Sequence, residues 1–479
     1  MSHTVTHTSS RLLALGTLAL LPLTLCAQTH SDVYVTDVSI KAPAKPLTAP
    51  EQKIVAAIDS ESDASNAFLK QLVDINSGTH NIQGVRDVAN LIMPQLIALG
   101  FKAEFHPMDN VKRAGNILAV HPCPTGPGKC GKRILLIGHM DTVFEKDQPM
   151  QPYALVPGTD GKIATGQGVM DMKGGLVIAI YALRAMQAVG VLTNTEITIV
   201  FSGDEEAAGQ PTAISRRDMI SAAKENDICL EFENTAEVKG MDYGSTARRG
   251  DVGWHLSTTG TIAHSSGIFS KNDGDGAIYE MTRILDAFRT QLQEPMLTFN
   301  VGLMMGGTEI TPNAVGNGGA VIGKSNVIPP TAYAAGDLRG ISVEQVERVK
   351  KKMKDIVAQH LPMTGATISF SESYPPMPPM AGNRSLLRML NTVNQSLGVP
   401  QMPELDPMQR GAGDVSFVAP YLDALAGTGS TGKGAHAPGE TIDLTKQPLQ
   451  TKRAAILMYH LSQTDSAKKL TDLYPAPAN

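Results

Sequence analysis

Cysteine is scarce in this chain: four residues in 479, too few for the disulfide framework on which small secreted domains depend. Charge is scarce as well, at 18% of residues, and acidic side chains outnumber basic ones by 46 to 41 for a net charge of −5. The pI of about 6.2 is far from the ~9 or above that marks a nucleic-acid-binding surface, so no nucleic-acid partner is expected. The 45 glycines and 30 prolines follow no period, which excludes a collagen-like or repetitive chain. After residue 25 no apolar run approaches the ~20 residues of a membrane-spanning helix, so no membrane span is expected. Apolar residues are plentiful, at 42%, enough for a sizeable core divided over two or three domains of the usual ~100–200 residues.

The N-terminus bears on the compartment. Arg11 precedes an uncharged apolar run, Leu12 to Leu25, which ends at Cys26-Ala27-Gln28. This run is too short to span a bilayer and is closed by a small residue, the pattern of a secretory signal cleaved after Ala27. Lipid attachment at Cys26 is the other reading of this stretch, although Leu25 is large where a small residue is wanted. The expected compartment is the periplasm or the exterior. In such a compartment Cys123 and Cys130, within a Pro/Gly-rich loop, are expected to pair, and Cys229, inside Ile228-Cys229-Leu230, to be a small buried hydrophobe.

Residues 28–50 are polar and Pro-rich, an N-terminal extension with a short β-like stretch at Val33-Tyr34-Val35. Helical pattern runs from Glu51 through Val73 and from Val85 to Ala98, where Gly100 supplies a stop. Ile134–Ile137 is wholly apolar, as in a strand covered on both faces. A helix from Leu176 to Val189 and the strands Ile197–Phe201 and Ile228–Leu230 continue a β-α-β rhythm, which argues an α/β sheet with helices on both faces. From about residue 246 the rhythm changes. Strands at 252–257, 297–304, 320–323 and 333–339, with helices at 276–292 and 343–359, predict an inserted α+β domain of two helices and four strands. Helix 386–397 and strand 422–425 then return to the first domain. The expected division is 1–27 signal peptide, 28–50 extension, 51–245 with 365–479 as the larger domain, and 246–364 as the insert.

In an open α/β sheet functional groups collect beyond the carboxyl ends of the strands. His139 and Asp141 follow the strand at 134, two apart and therefore directed to the same side. Asp171 lies in Gly168-Val169-Met170-Asp171-Met172-Lys173-Gly174-Gly175, just ahead of a helix; Glu205 and Glu206 follow the strand at 197, and Glu233 the strand at 228. His436 sits far downstream in Gly432-Lys433-Gly434-Ala435-His436. A phosphate loop at Asp171 is disfavoured, because a central carboxylate repels phosphate and no Gly-Lys-Ser/Thr ending is present. Each cluster alone is weak, since acidic pairs are commonly solvated and a strand-end His is commonly structural. Two His and three carboxylates without thiol, each in such a place, suit a two-metal site for zinc or another borderline ion.

These motifs in this order resemble the M20 family of co-catalytic zinc peptidases, and within it the exported glutamate carboxypeptidases, over residues 51–465. The resemblance implies a catalytic domain interrupted by a lid through which subunits pair as a homodimer, and two Zn²⁺ per subunit. It implies Asp171 as the bridge between the metals, His436 with Glu206 on one and His139 with Glu233 on the other. Asp141 would accept a hydrogen bond from His139, and Glu205 would be the general base acting on a metal-held water. In the lid, His264 matches a residue that reaches a neighbouring subunit's active site and helps hold the oxyanion. Asn326 and Arg339 match residues that grip the substrate's C-terminal carboxylate, and Gly429 belongs to a loop lining the substrate site. The residues after His264, Ser265-Ser266-Gly267, depart from the family's usual His-Ala-Gly. The segment Glu372-Ser373-Tyr374-Pro375-Pro376 lacks the basic residue that glutamate-specific relatives carry there, which argues against a glutamate preference.

The implied activity is hydrolysis of the amide bond before a C-terminal amino acid by an exported metallocarboxypeptidase. The alternative is an aminoacylase or dipeptidase of the same machinery, with N-acyl amino acids or dipeptides as substrates. A solute-binding protein with a decayed site is disfavoured, because all five ligands and Glu205 are present.

Overall fold

In the computed structural model, which describes residues 34–313, 316–371 and 374–477, the apolar run Ile134–Ile137 lies within strand Arg133–His139 near the middle of a six-stranded sheet. The order across the sheet is 102–108, 113–121, 196–202, 133–139, 228–231 and 423–425. The last four run parallel, and the first two extend the sheet antiparallel. The export segment Leu12–Leu25 and the cleavage position at Ala27 lie outside the described residues, as do Val33, Glu372 and Ser373.

The alternation of a strand divides residues 134–137 between two cores. Ile134 and Leu136 pack with Leu72, Val88, Ile92, Ile178 and Ile456 from the helices on one face, while Leu135 and Ile137 pack with Met219, Ala223, Val415 and Val418 on the other. All four are fully buried, and each such side chain contributes about 1.5–3 kcal/mol relative to exposure. Helix Gly174–Ala188 is apolar nearly all round because it lies between the sheet and helix Gln447–Ser462. The sheet is thus the expected mixed α/β layer covered on both faces, and Cys229 is fully buried in it.

A second, wholly antiparallel sheet has the order 298–307, 331–339, 252–260, 364–371. Helices Ala277–Gln291 and Val343–Val357 pack on one of its faces around Trp254, Leu256, Ile284, Phe288, Val349 and Met353, a core separate from the first. Two helices and four strands are present as expected, but one strand differs. The segment at 320–323 pairs with Glu309–Pro312 in an exposed two-stranded ribbon, and the fourth sheet strand is Thr364–Ser371. The second unit therefore continues past the expected return at 364, to residue 371.

Three other local expectations change. The helix foreseen over 51–73 is two, Ala49–Ser60 and Ser62–Val73, with Glu61 at the break and a capping box between Thr48 and Glu51 at the start. The strands Lys102–Met108 and Arg113–His121 had not been anticipated; the first is a half-exposed edge carrying Lys102, Glu104 and His106. Tyr34 and Val35 form no strand, and the extension is instead pinned by Thr36 and Ile40 amides donating to Glu404 Oε2 and Gln401 Oε1. Cys123 and Cys130 are joined in a disulfide. Among the described residues no helix is long and apolar enough to cross a membrane.

Candidate metal centre

The polar residues that follow the parallel strands meet at one edge of the first sheet. His139 ends strand Arg133–His139, Glu233 lies just past the neighbouring strand Ile228–Glu231, and Glu205 and Glu206 lie past Glu196–Ser202 on the other side. Neighbouring strands are about 4.8 Å apart, so side chains leaving three adjacent ends share a small volume. Asp171 enters from a tight turn, Val169–Lys173, ahead of helix Gly174–Ala188; its own backbone is extended rather than helical. His436 comes from the loop between Gly432–Lys433 and Thr441–Asp443.

The two oxygens of Asp171 face different histidines. His139 Nε2 lies 3.3 Å from Asp171 Oδ1 and 3.3 Å from Glu233 Oε1, whereas His436 Nε2 lies 3.2 Å from Asp171 Oδ2 and 3.2 Å from Glu206 Oε2. Such separations match the edge of a tetrahedron around a cation bonded to N and O donors at about 2.0–2.2 Å. His139 Nε2, Asp171 Oδ1 and Glu206 Oε1 are buried and lack a hydrogen-bond partner among the described residues, a costly state unless a cation satisfies them. Two donor sets result, His139–Asp171–Glu233 and Asp171–Glu206–His436, with Asp171 common to both. A third grouping, His139 with Glu205 and Glu206, reuses His139 and leaves Glu205 as the carboxylate beside the two sets.

Electrostatics point the same way. Burial pushes Glu205 well above the usual carboxylate range, and burial together with the Asp171 charge raises Glu206 to about 7. Positive charge between these groups would offset both effects.

A surrounding layer holds the donors. His139 Nδ1 lies 3.0 Å from the backbone carbonyl of Asp141 and 3.4 Å from its Oδ1, which aims Nε2 at the cluster. The expected acceptor was the Asp141 carboxylate; the nearer one is the carbonyl. The carboxylate itself accepts the amides of Glu205 at 3.0 Å and Glu206 at 3.1 Å and the Thr79 hydroxyl at 2.6 Å, so Asp141 anchors both glutamates. Glu440 accepts the amides of Gly168, Met170 and Asp171 at 3.0, 2.7 and 2.8 Å. Arg410 Nη2 lies 3.3 Å from Glu233 Oε2. Gly429 is seated where a Cβ would fall 2.0 Å from the Phe232 carbonyl oxygen, and its amide donates to Glu233 O at 2.8 Å; only glycine lets this loop lie so close to the Glu233 segment.

The residues expected from the second unit are not drawn into this cluster. His264 is exposed and pairs through Nδ1 with Ser266 Oγ at 2.8 Å. Asn326 is exposed beside it, its carbonyl accepting the Ser265 amide at 3.0 Å. Arg339 lies at the far end of the same sheet, with Nε donating to Asp337 Oδ2 at 2.7 Å and Nη2 3.7 Å from Asp251 Oδ1. Sequence reasoning missed Glu440 and Arg410, and also the buried Arg216, which bridges Asp204 and Asp414 at 2.6 and 2.7 Å behind Glu205. The available signals were a lone acidic residue just after His436 for Glu440 and a single charge before a Gly-rich stretch for Arg410, whereas Arg216 stands in the charged run Arg216-Arg217-Asp218 and carries no such signal.

Residues 135–460, more than half of the chain, match the family described as peptidase family M20/M25/M40. Carboxypeptidase G2 of Pseudomonas sp. (strain RS-16) is 25% identical over 418 residues, covering 85% of this chain and 91% of that protein. Acetylornithine deacetylase of Pasteurella multocida (strain Pm70) is 29% identical over 242 residues, covering 48% of this chain and 59% of that protein. Among solved structures, a Bacillus subtilis protein described as a dinuclear metal binding peptidase from the M20 family superposes with a TM-score of 0.57 at 14% identity, covering 85% of this chain and 99% of that one.

Proposed function

Given that the chain belongs to peptidase family M20/M25/M40, we propose that it is an exported carboxypeptidase using two divalent cations, zinc by preference, to hydrolyse the amide bond before a C-terminal amino acid. The observation that carries this reading is Asp171, whose two oxygens face two separate imidazole–carboxylate pairs. His139 and Glu233 would complete one site, His436 and Glu206 the other. When bound, such a cation pair acidifies water and polarises a carbonyl. Glu205, left out of both donor sets, would take a proton from the attacking water and deliver it to the leaving nitrogen. Asp141 would hold the Glu205 and Glu206 backbone in place for these tasks.

The preference for a carboxypeptidase is supported by the extended similarity to carboxypeptidase G2 and by Arg339, whose planar fork suits a substrate carboxylate. To act there, Arg339 would exchange its pairing with Asp337. His264 would serve the oxyanion in the site of a second copy of the chain, since its own bonds lie within the second unit. Export is supported by Leu12–Leu25 and by the Cys123–Cys130 disulfide, which suits an oxidising compartment. The second reading, a deacylase of N-acyl amino acids, is favoured by the similarity to acetylornithine deacetylase.

Hydrolysis of three substrate sets separates these readings: N-blocked dipeptides, the same peptides with C-terminal amides, and simple N-acyl amino acids, with mass-spectrometric detection of the released amino acid. Release from N-blocked dipeptides but not from their amides is expected. Cleavage restricted to simple N-acyl amino acids would establish the deacylase reading instead.

A further inference from the structure

Tyr374 joins the crossing between the two units to the residue proposed as the base. Its carbonyl accepts the Asp251 amide at 2.9 Å, and Arg248 and Met377 exchange backbone hydrogen bonds of 2.9 Å in both directions. The segment leaving the first unit and the segment returning to it are thus bridged, and Tyr374 sits on the returning one. Gly250 permits this pairing, since a Cβ there would lie 2.8 Å from the Tyr374 carbonyl oxygen.

The Tyr374 side chain turns inward. Its hydroxyl donates to the Glu205 backbone carbonyl at 2.6 Å and accepts from Arg216 Nη2 at 2.8 Å. Its ring lies edge-on to Phe417, with centroids 5.2 Å apart, and the Arg216 guanidinium lies over both rings at 5.7 and 5.5 Å. Arg216 is itself fully buried and held by Asp204 and Asp414, so the hydroxyl has a fixed neighbour and little freedom to turn elsewhere. The Glu205 peptide units are therefore held at two points from different parts of the fold. Its amide is bound by Asp141 and its carbonyl by Tyr374.

Resting on the reading of Glu205 as the base, we propose that Tyr374 is a positioning residue whose hydroxyl sets the Glu205 main chain and ties placement of the base to the crossing between the two units. Tyr374→Phe keeps the ring packing and removes the donor. It is expected to lower kcat about tenfold, the cost of one hydrogen bond to a buried carbonyl, with KM within about twofold. Metal content per chain stays at the wild-type value. Phe417→Leu disturbs the same packing without touching the hydroxyl, and is expected to lower Tm while keeping most of kcat.

The link to the crossing is read from a double-mutant cycle. Gly250→Ala pushes on the Tyr374 backbone, so its effect on kcat should overlap with that of Tyr374→Phe instead of multiplying with it. These measurements use the metal-loaded protein and one N-blocked dipeptide substrate. An unchanged kcat in Tyr374→Phe overturns the inference, as does a fall accompanied by metal loss or matched by Phe417→Leu at equal loss of Tm. Fully multiplicative effects in the cycle overturn the tie to the crossing. Glu205→Gln is measured in parallel: inactivity there with an unaffected Tyr374→Phe leaves the base assignment standing and removes only the role of Tyr374. Retained activity in Glu205→Gln removes the base assignment and this inference with it.

Discussion

Glu440 accepts the backbone amide of Asp171 at 2.8 Å, from the same loop that presents His436 to the Asp171 carboxylate. One short segment therefore supplies a donor of the centre and also braces the turn that carries the shared carboxylate. Glu440→Ala would strand three buried amides, each at a cost of about 1–3 kcal/mol, and loosen the placement of Asp171. The expected outcome is a lower Tm and fewer cations per chain after gel filtration, measured by elemental analysis. Full metal content with a wild-type Tm would show that Glu440 does not organise the turn.

Glu205 and Asp171 should separate under metal analysis. Glu205→Ala is expected to abolish turnover while leaving two cations per chain, because Glu205 lies outside both donor sets. Asp171→Ala removes the common ligand and should deplete both positions. Chelation of the wild-type protein should abolish activity, and zinc addition restore it. Metal loss in Glu205→Ala, or full occupancy in Asp171→Ala, would contradict these assignments.

His264 is exposed and bonded locally, and its proposed task lies in the site of a second copy of the chain. Loss of an oxyanion donor typically lowers kcat by ~10²–10³, and His264→Ala should be nearly inactive with its metals intact. Mixing it with Glu205→Ala protein should regenerate activity, because one site of each mixed dimer then has every group. An inactive mixture, with subunit exchange verified by tagged copies, would place the action of His264 within its own chain.

The Cys123–Cys130 disulfide closes a short loop between the second and third strands of the chain, at a sequence separation of 7. Loop-closure entropy assigns such a bridge about 2.5 kcal/mol. Peptide mapping without reductant should find the two cysteines linked in protein recovered from an oxidising compartment. A Cys123→Ser/Cys130→Ser double variant should be less stable by about that amount with kcat retained, since the loop is remote from the metal edge. Free thiols at both positions in exported protein would reject the bridge.

Much of the framework was readable in the chain because its signals are local. Central strands such as Ile134–Ile137 are apolar throughout, since both faces of the sheet are covered, and the groups that follow them must project from its carboxyl edge. Strands with an open face or edge were harder to read. Lys102–Met108 is half-exposed and charged and does not stand out from a loop, while Thr364–Ser371 does alternate Ala366, Ile368 and Phe370 with Thr367, Ser369 and Ser371 but starts at the expected end of the insert. Gly319–Ile322 misled in the opposite way, being apolar in sequence and exposed in the ribbon.

The sequence by itself determined which side chains are candidates for the chemistry: His139, Asp171, Glu205, Glu206, Glu233 and His436 are marked by their places after apolar strands or within glycine-rich turns. Only the tertiary structure decided how they are paired and braced. Asp171 meets His436, Glu440 meets the Gly168–Asp171 turn, Arg216 meets Asp414 and Tyr374 meets Glu205 across separations of more than 150 residues. Such contacts depend on strand order and on which elements pack together, and no local periodicity records that. Whether a carboxylate becomes ligand, anchor or brace is therefore settled by the neighbours that folding brings to it.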